Sequence, residues 1–386
     1  MNFQHFQLKT LLAAGSCILI LLLTIVLSFV IGQKSVQQMQ QDIGQSLSQL
    51  AFQMQDKLDR GMFERYRDIQ IAARSDSMEN PKSSATTRRL LLEKLQNTYS
   101  DYAWIGFTDP QGIVLSSTSG LLEGVDVAQR PWFQQGLQGP FVGDVHEALL
   151  LAKLLPRRTD DLPRFVDIAV PVIAPPNQLI GVLGAHLSWD WAKDVKDSLL
   201  NPLNNPEQVD VLIVSKDGTV LLGPADSEGQ TLQLASISTA RQGQNHYQLE
   251  TWPDGKSYLT GFVQTDGYRS YPGLGWTILV RQDSEQAFAP VADLREQIML
   301  WGIGIAVLFS ALGGWFANRL DRPLFQLAQA AEQIRKGDER IEIPTLNDYK
   351  EIGVLSESLH WLVTDLRKQT VCLLYTSPSP RDSIAS

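Results

Sequence analysis

The chain has 386 residues, enough for two or three domains, and its 44% apolar content is sufficient for sizeable cores. The formal net charge of −9 excludes nucleic acid as the main partner. The two cysteines, Cys17 and Cys372, lie at opposite ends, which excludes a disulfide framework, and neither has a neighbouring cysteine or histidine at metal-ligand spacing.

Two segments dominate the hydropathy. Residues 10–32, TLLAAGSCILILLLTIVLSFVIG, form 23 residues without a charge, and residues 298–317, IMLWGIGIAVLFSALGGWFA, form 20. Each is long enough to cross a hydrocarbon core of about 30 Å. The first is too long for the apolar region of a cleaved signal peptide, and no small-residue cleavage site follows it. Two spans put residues 1–9 and the C-terminal part on one side of a bilayer, and residues 33–297 on the other.

After the first span, Val36, Met39, Ile43, Leu47, Leu50, Met54 and Leu58 repeat at 3-4-4-3-4-4, a helical stripe. It packs on its own domain, on a second copy, or on each over different parts of its length. A second helix, TRRLLLEKLQNTYSDY, leads into a strand, a turn at Asp109-Pro110-Gln111-Gly112 and another strand. The pattern recurs: FTDPQGIVL (107–115) aligns with IVSKDGTVL (213–221), Gly112 falling on Gly218. Glycine there supplies the positive φ that a tight turn demands. Two hairpins with one framing predict two related α/β modules, a distal one over about 75–200 and a proximal one over about 208–290. The Pro/Asn stretch 200–208 separates them. The first closes with RFVDIAVPVIAP and QLIGVLGAHLSW, the second with HYQLETW, KSYLTGFVQT and GLGWTILVRQD.

The order is anchor, long helix, strand–DxxG–strand, an R-x-[WY]-[FY] loop, a GVLGA strand, a smaller second module, and GWTILV before the second span. It resembles the double Cache (dCache) extracytoplasmic sensor domains of bacterial receptors, two PAS-like modules on one long helix. The fold class expected is therefore α+β: a two-span membrane protein with tandem PAS-like modules, followed by an α-helical coiled coil.

That coiled coil is read from residues 318–369. Leu320, Leu324, Leu327, Ala331 and Ile334 repeat at 4-3-4-3, and Ile352, Leu355, Leu359, Leu362 and Leu366 at 3-4-3-4. Two seams of about two heptads each cannot bury themselves alone; a parallel four-helix bundle in a homodimer buries both. The segment resembles a HAMP domain. Pro323 matches the family proline, Gly337 the connector glycine, Ile341 and Ile343 its packing residues, and Glu351 with Gly353 the start of the second helix. Pro323, Gly337, Glu351 and Gly353 are thereby the expected signal-relay residues. Because HAMP is cytoplasmic, the resemblance places the sensor domain outside, in the periplasm, on the inner membrane. In the second span Gly302, Ala306, Ser310 and Gly314 fall every fourth residue, a face on which two helix backbones can approach closely.

Residues 370–386, TVCLLYTSPSPRDSIAS, lack periodicity and look like translated sequencing adapter, with a natural disordered tail as the alternative. A HAMP domain transmits to an output domain. GDVHEALLLAKLLP, RFVDIAVPV and YKEIGVLSESLHWLV are similar to the input half of membrane diguanylate cyclases, which implies a GGDEF output making cyclic di-GMP. A methyl-accepting chemotaxis receptor and a sensor histidine kinase are the alternatives. A membrane-anchored protein-binding scaffold is the reading from a different class. No nucleophile–base constellation is legible, so catalysis and cofactors are not expected in this chain itself.

In dCache receptors a small ligand sits under the loop that carries the R-x-W-[YF] element, here VDVAQRPWFQQ (125–135). The resemblance makes Arg130, Trp132 and Phe133 the ligand arm. A guanidinium holds a carboxylate through two parallel hydrogen bonds, and aromatic walls exclude water around it. Amino-acid-binding members carry a Tyr five residues before the Arg, an Asp five after it and an Asp in the GVLGA strand. Here those positions hold Val125, Gln135 and His186. The carboxylates that grip an ammonium are absent from those positions, so the expected ligand is an anionic or neutral small molecule. Asp144, His146 and Asp167 on neighbouring segments complete the polar set around His186. Their spacing along the chain shows no metal-ligand motif, so no metal is expected.

Overall fold

The structure is a computed structural model that describes residues 8–148, 151, 163–203, 205–336, 344–345 and 350–376. The chain divides into two compact units, residues 35–290 and residues 1–34 with 291–386.

Within residues 35–290, the long helix α1 (Leu8–Ala73) is followed by α2 (Asp76–Glu79) and α3 (Ala85–Thr98). Ser84 caps α3 by accepting a hydrogen bond from the Thr87 amide at 3.0 Å. Then come β1 (Tyr102–Thr108), β2 (Val114–Ser117), α4 (Pro131–Gly136), β3 (Phe141–Glu147), β4 (Arg164–Ala174), β5 (Gln178–Ser188) and α5 (Asp190–Leu200). The second half carries β6 (Asp210–Val214), β7 (Val220–Leu222), α6 (Ala235–Ala240), β8 (His246–Thr251), β9 (Ser257–Gln264) and β10 (Thr277–Asp283).

The strands form two antiparallel five-stranded sheets with the orders β2-β1-β5-β4-β3 and β7-β6-β10-β9-β8. Adding five to each label of the first order gives the second, so the two modules share one topology. The hairpin turns agree in detail. Gly112 (φ +95°) and Gly218 (φ +102°) each donate to the carbonyl three residues back, Asp109 and Ser215. The side chains of those two residues then accept the amides of Ile113 and Thr219.

Period-2 alternation separates the faces of each sheet. In the distal sheet, Ile105, Phe107, Val166, Ile168, Leu183 and Ala185 face a core shared with α1. Val211, Ile213, Leu259, Ile278 and Val280 do the same from the proximal sheet. From the helical stripe, Leu47, Met54 and Leu58 are buried in this core, joined by Ala51, Met62 and Ile69 further along. Each fully buried large apolar side chain contributes roughly 1.5–3 kcal/mol. The helix approaches β9 so closely that a Cβ on Gly261 would lie 2.3 Å from the Leu47 backbone, which restricts that position to glycine.

Asp59 is a polar exception inside this core. It accepts hydrogen bonds from Gln55 Nε2 (2.8 Å) and the Gly267 amide (3.2 Å) and is 3% exposed. Burial pushes its carboxyl up to about 6, with the nearby Asp266 carboxylate adding to the effect.

In the other unit, α1 and α7 (Ser284–Arg335) contain stretches long and apolar enough to cross a membrane, with the apolar windows only 6% and 11% buried. The small-residue face of α7 meets the chain's own first helix: Gly302 leaves room for Thr24, and a Cβ there would lie 2.1 Å from Thr24 Cγ2. Ala306 is buried as well. Further on, Leu327 and Ile334 of α7 pack with Ile352, Leu359 and Val363 of α8 (Lys350–Thr376). Leu324, Leu355 and Leu362 of the two heptad seams stay exposed within one chain. Pro323 is buried, Gly353 half-buried and Glu351 exposed. Gly337, Ile341 and Ile343 lie outside the described residues. The second heptad helix continues to Thr376, beyond the end at residue 369 read from the heptads.

Candidate ligand cavity of the distal module

The loop after β2 delivers Arg130 to the N-cap of α4 with extended backbone (φ −80°, ψ 133°), and Pro131 supplies the first helical position. The short helix buries Trp132 and Phe133 against the sheet face opposite the α1 core. Three glycines make that possible. A Cβ on Gly136 would lie 2.8 Å from the side chains of Ala169 and Val182. One on Gly184 would lie 2.5 Å from the Trp132 ring, and one on Gly106 would lie 2.2 Å from the Trp104 ring. The two indoles meet edge to face with centroids 6.1 Å apart.

Between this helix, its loop and strands β1, β3, β4 and β5 lies a cavity of about 300 Å³. Arg130, Trp132, Asp144, His146, Asp167 and His186 all line it, six of the seven residues singled out from sequence. Phe133 does not. It sits beneath, in the apolar cluster formed by Trp104, Val114, Val127, Phe165, Ala169 and Val182. Trp104, Phe141 and Glu147 complete much of the wall. Trp104 was not singled out from sequence; its alternation with Ile105 on β1 places it on the cavity face. The exposed Arg130 guanidinium has no hydrogen-bond or carboxylate partner among the described residues.

Carboxylates missing from the receptor positions are supplied by other residues. Val125 is an apolar wall, but Asp144, Glu147 and Asp167 bring acids from β3 and β4. Asp144 is partly committed, its Oδ1 accepting from Trp276 Nε1 of the proximal module and from the Val145 amide, both at 2.7 Å. Asp167 sits directly across from His186 in the β4–β5 ladder, and its Oδ1 hydrogen-bonds His186 Nδ1. Its Oδ2 faces His146 Nε2 at 3.5 Å. His186 is boxed by Trp104, Trp132 and Phe165, with ring centroids 5.3, 5.9 and 6.0 Å away.

The shared topology allows the same place to be found in the proximal module. Phe107 pairs with Ser116 and Leu183; Ile213 pairs with Leu222 and Ile278. Three residues on, His186 of β5 corresponds to Arg281 of β10. Across the ladders, Trp104 corresponds to Asp210 and Asp167 to Thr260. Arg281 is 9% exposed, stacks between Trp252 and Tyr258 at 4.2 and 4.1 Å, and donates to Asp210 at 3.0 Å. The proximal module thus fills with its own guanidinium the place that opens onto the cavity in the distal module. At the N-cap of α6 it holds Leu234, where the distal module holds Arg130 at the N-cap of α4.

Residues 35–291 match the Cache domain family (dCache_1). The chain belongs to this family. Among relatives of this Cache chain, the methyl-accepting chemotaxis protein PctB of Pseudomonas aeruginosa is 24% identical over 311 residues, covering 77% of this chain and 45% of that protein. The Cache chain therefore spans less than half the length of that relative. Solved structures similar to it include the PctB ligand-binding domain of Pseudomonas aeruginosa in complex with L-Arg, at 18% identity and TM-score 0.47, covering 64% of this chain and 98% of that one. The ligand-binding domain of the Campylobacter jejuni chemoreceptor Tlp3 in complex with 4-methylisoleucine is 12% identical with TM-score 0.47, covering 64% and 94%.

Proposed function

We propose that the Cache chain is the sensory input of a two-span transmembrane receptor that binds a small carboxylate-bearing ligand in the distal module. The observation that carries this is the contrast between modules. One topology yields an open cavity in the distal sheet, with a cation at its mouth that has no partner among the described residues, and a place filled by Arg281 in the proximal sheet. Arg130 takes the ligand carboxylate, and Trp104 and Trp132 shield the pair from water. Asp144 ties β3 to Trp276, just before β10, and β10 runs directly into α7. Movement of β3 on ligand binding is thereby relayed to the second membrane helix and the HAMP-like helices, in a homodimer.

Two outputs remain in the proposal. The diguanylate cyclase rests on segment resemblance. A chemotaxis-type receptor is favoured by the similarity to PctB, whose aligned share, 77% of the chain, is longer than the Cache match over 35–291.

The test is a thermal-shift screen of the detergent-solubilised full chain against organic acids, amino acids and amines. A stabilising carboxylate should lose about 10- to 100-fold in affinity in Arg130→Ala, the loss of a bidentate charged pair. A hit untouched by that substitution refutes the assignment of Arg130.

A further inference from the structure

Resting on the reading of the distal cavity as a ligand site, we infer that His146, Asp167 and His186 form a binding site for a divalent transition-metal ion of the zinc or nickel type. Each residue comes from a different strand, β3, β4 and β5, and their donor atoms lie within 4.8 Å of one another. The register explains how they meet. Asp167 pairs with His186 on neighbouring strands. On β3 a bulge between Gly143 and His146 shifts the ladder so that His146 pairs with Phe165, two residues from Asp167 on the same face. Bulges re-aim side chains in this way.

Asp167 Oδ1 is already hydrogen-bonded to His186 Nδ1; the His146 side is where a metal would add a bond. His146 Nδ1 lies 3.1 Å from the Asp144 carbonyl, which only accepts, so Nδ1 carries the proton of the neutral ring. The bare nitrogen, Nε2, then faces Asp167 Oδ2 at 3.5 Å, beyond hydrogen-bond length. In that tautomer the two lone-pair atoms oppose each other, and a metal ion between them would take both. Orientation of a ligating imidazole by a backbone carbonyl is the usual outer support of a metal site. Two imidazoles and one carboxylate suit zinc, and the cavity side leaves a fourth position for water or a carboxylate ligand. Tetrahedral bonds of about 2.0–2.1 Å need donor atoms about 3.4 Å apart. His146 supplies the closure: it lies on edge strand β3 with its side chain 40% exposed, whereas Asp167 and His186 are held at 8%. Drawing His146 inward moves the strand that holds Trp276 through Asp144.

The experiment uses the purified full chain in detergent, stripped with chelator and then dialysed against Zn²⁺, Ni²⁺ or Co²⁺. Metal per chain is read by elemental analysis and Co²⁺ coordination by visible absorption. Wild type should take up one equivalent. His146→Ala, at a half-exposed edge position that does not threaten the fold, should bind at least tenfold more weakly, and His186→Asn should show the same loss. No uptake of any of the three ions above that of His146→Ala overturns the site. An Arg130-dependent carboxylate hit in metal-free buffer, together with no uptake, removes the metal but leaves the ligand cavity. Uptake without any Arg130-dependent hit removes the carboxylate arm and leaves the metal.

Discussion

Replacing Asp59 with Asn should stabilise the sensor unit above pH 6 and leave it unchanged below pH 4. The carboxyl is pushed up to about 6 from an ordinary 3.8, first by burial and further by Asp266. A carboxyl that titrates higher folded than unfolded contributes stability that is fully present below 3.8 and is lost as pH rises through 6. A shift of 6 − 3.8 at 1.36 kcal/mol per unit amounts to about 3 kcal/mol. Asn stays neutral throughout, and its carbonyl still accepts from Gln55 and the Gly267 amide, so it lacks this loss. Thermal melts of wild type and variant in detergent, followed by tryptophan fluorescence from pH 4 to 8, read the difference. At about 2–4 °C per kcal/mol the variant should melt about 6–12 °C higher above pH 6 and together with wild type at pH 4. A constant gap between the two melting curves across that range would refute the reasoning, because a neutral substitution that acts through packing alone has no pH dependence.

Gly184→Ala places a Cβ 2.5 Å from the Trp132 ring, so the indole must shift. The expected loss is about 1–3 kcal/mol, together with weaker binding of any ligand found for the cavity, both measurable by melting with and without that ligand. Arg281→Ala removes a buried guanidinium from between two rings and from Asp210; the expected loss is about 2–4 kcal/mol in denaturant unfolding. A change below about 0.5 kcal/mol would show that Arg281 is not held as described.

Much of the fold could be read in the chain because its signals are local. Turn glycines at Gly112 and Gly218 and the 3-4 stripe of α1 each act through neighbouring residues, and each element lies where that chemistry puts it. The tandem repeat was legible for the same reason. The polar set around His186 was named from the sequence; what escaped is its register. Asp167 and His186, 19 positions apart, are bonded directly across the strand pairing. His146 reaches them through a bulge that no periodicity announces. Asp144 looked like a cavity residue alone, yet its bond to Trp276 spans 132 positions. Phe133 follows Trp132 directly, but in a helix consecutive side chains diverge by about 100°, so one lines the cavity while the other supports it.

Arg281 gives the proximal module the character of a receptor whose ligand is covalently attached. A tethered group reaches its place at an effective concentration set by its own side-chain linkage, independent of anything in the surrounding medium. That sheet needs no occupant from outside. Under the proposed function only the distal cavity does, so a ligand-dependent change has to begin there.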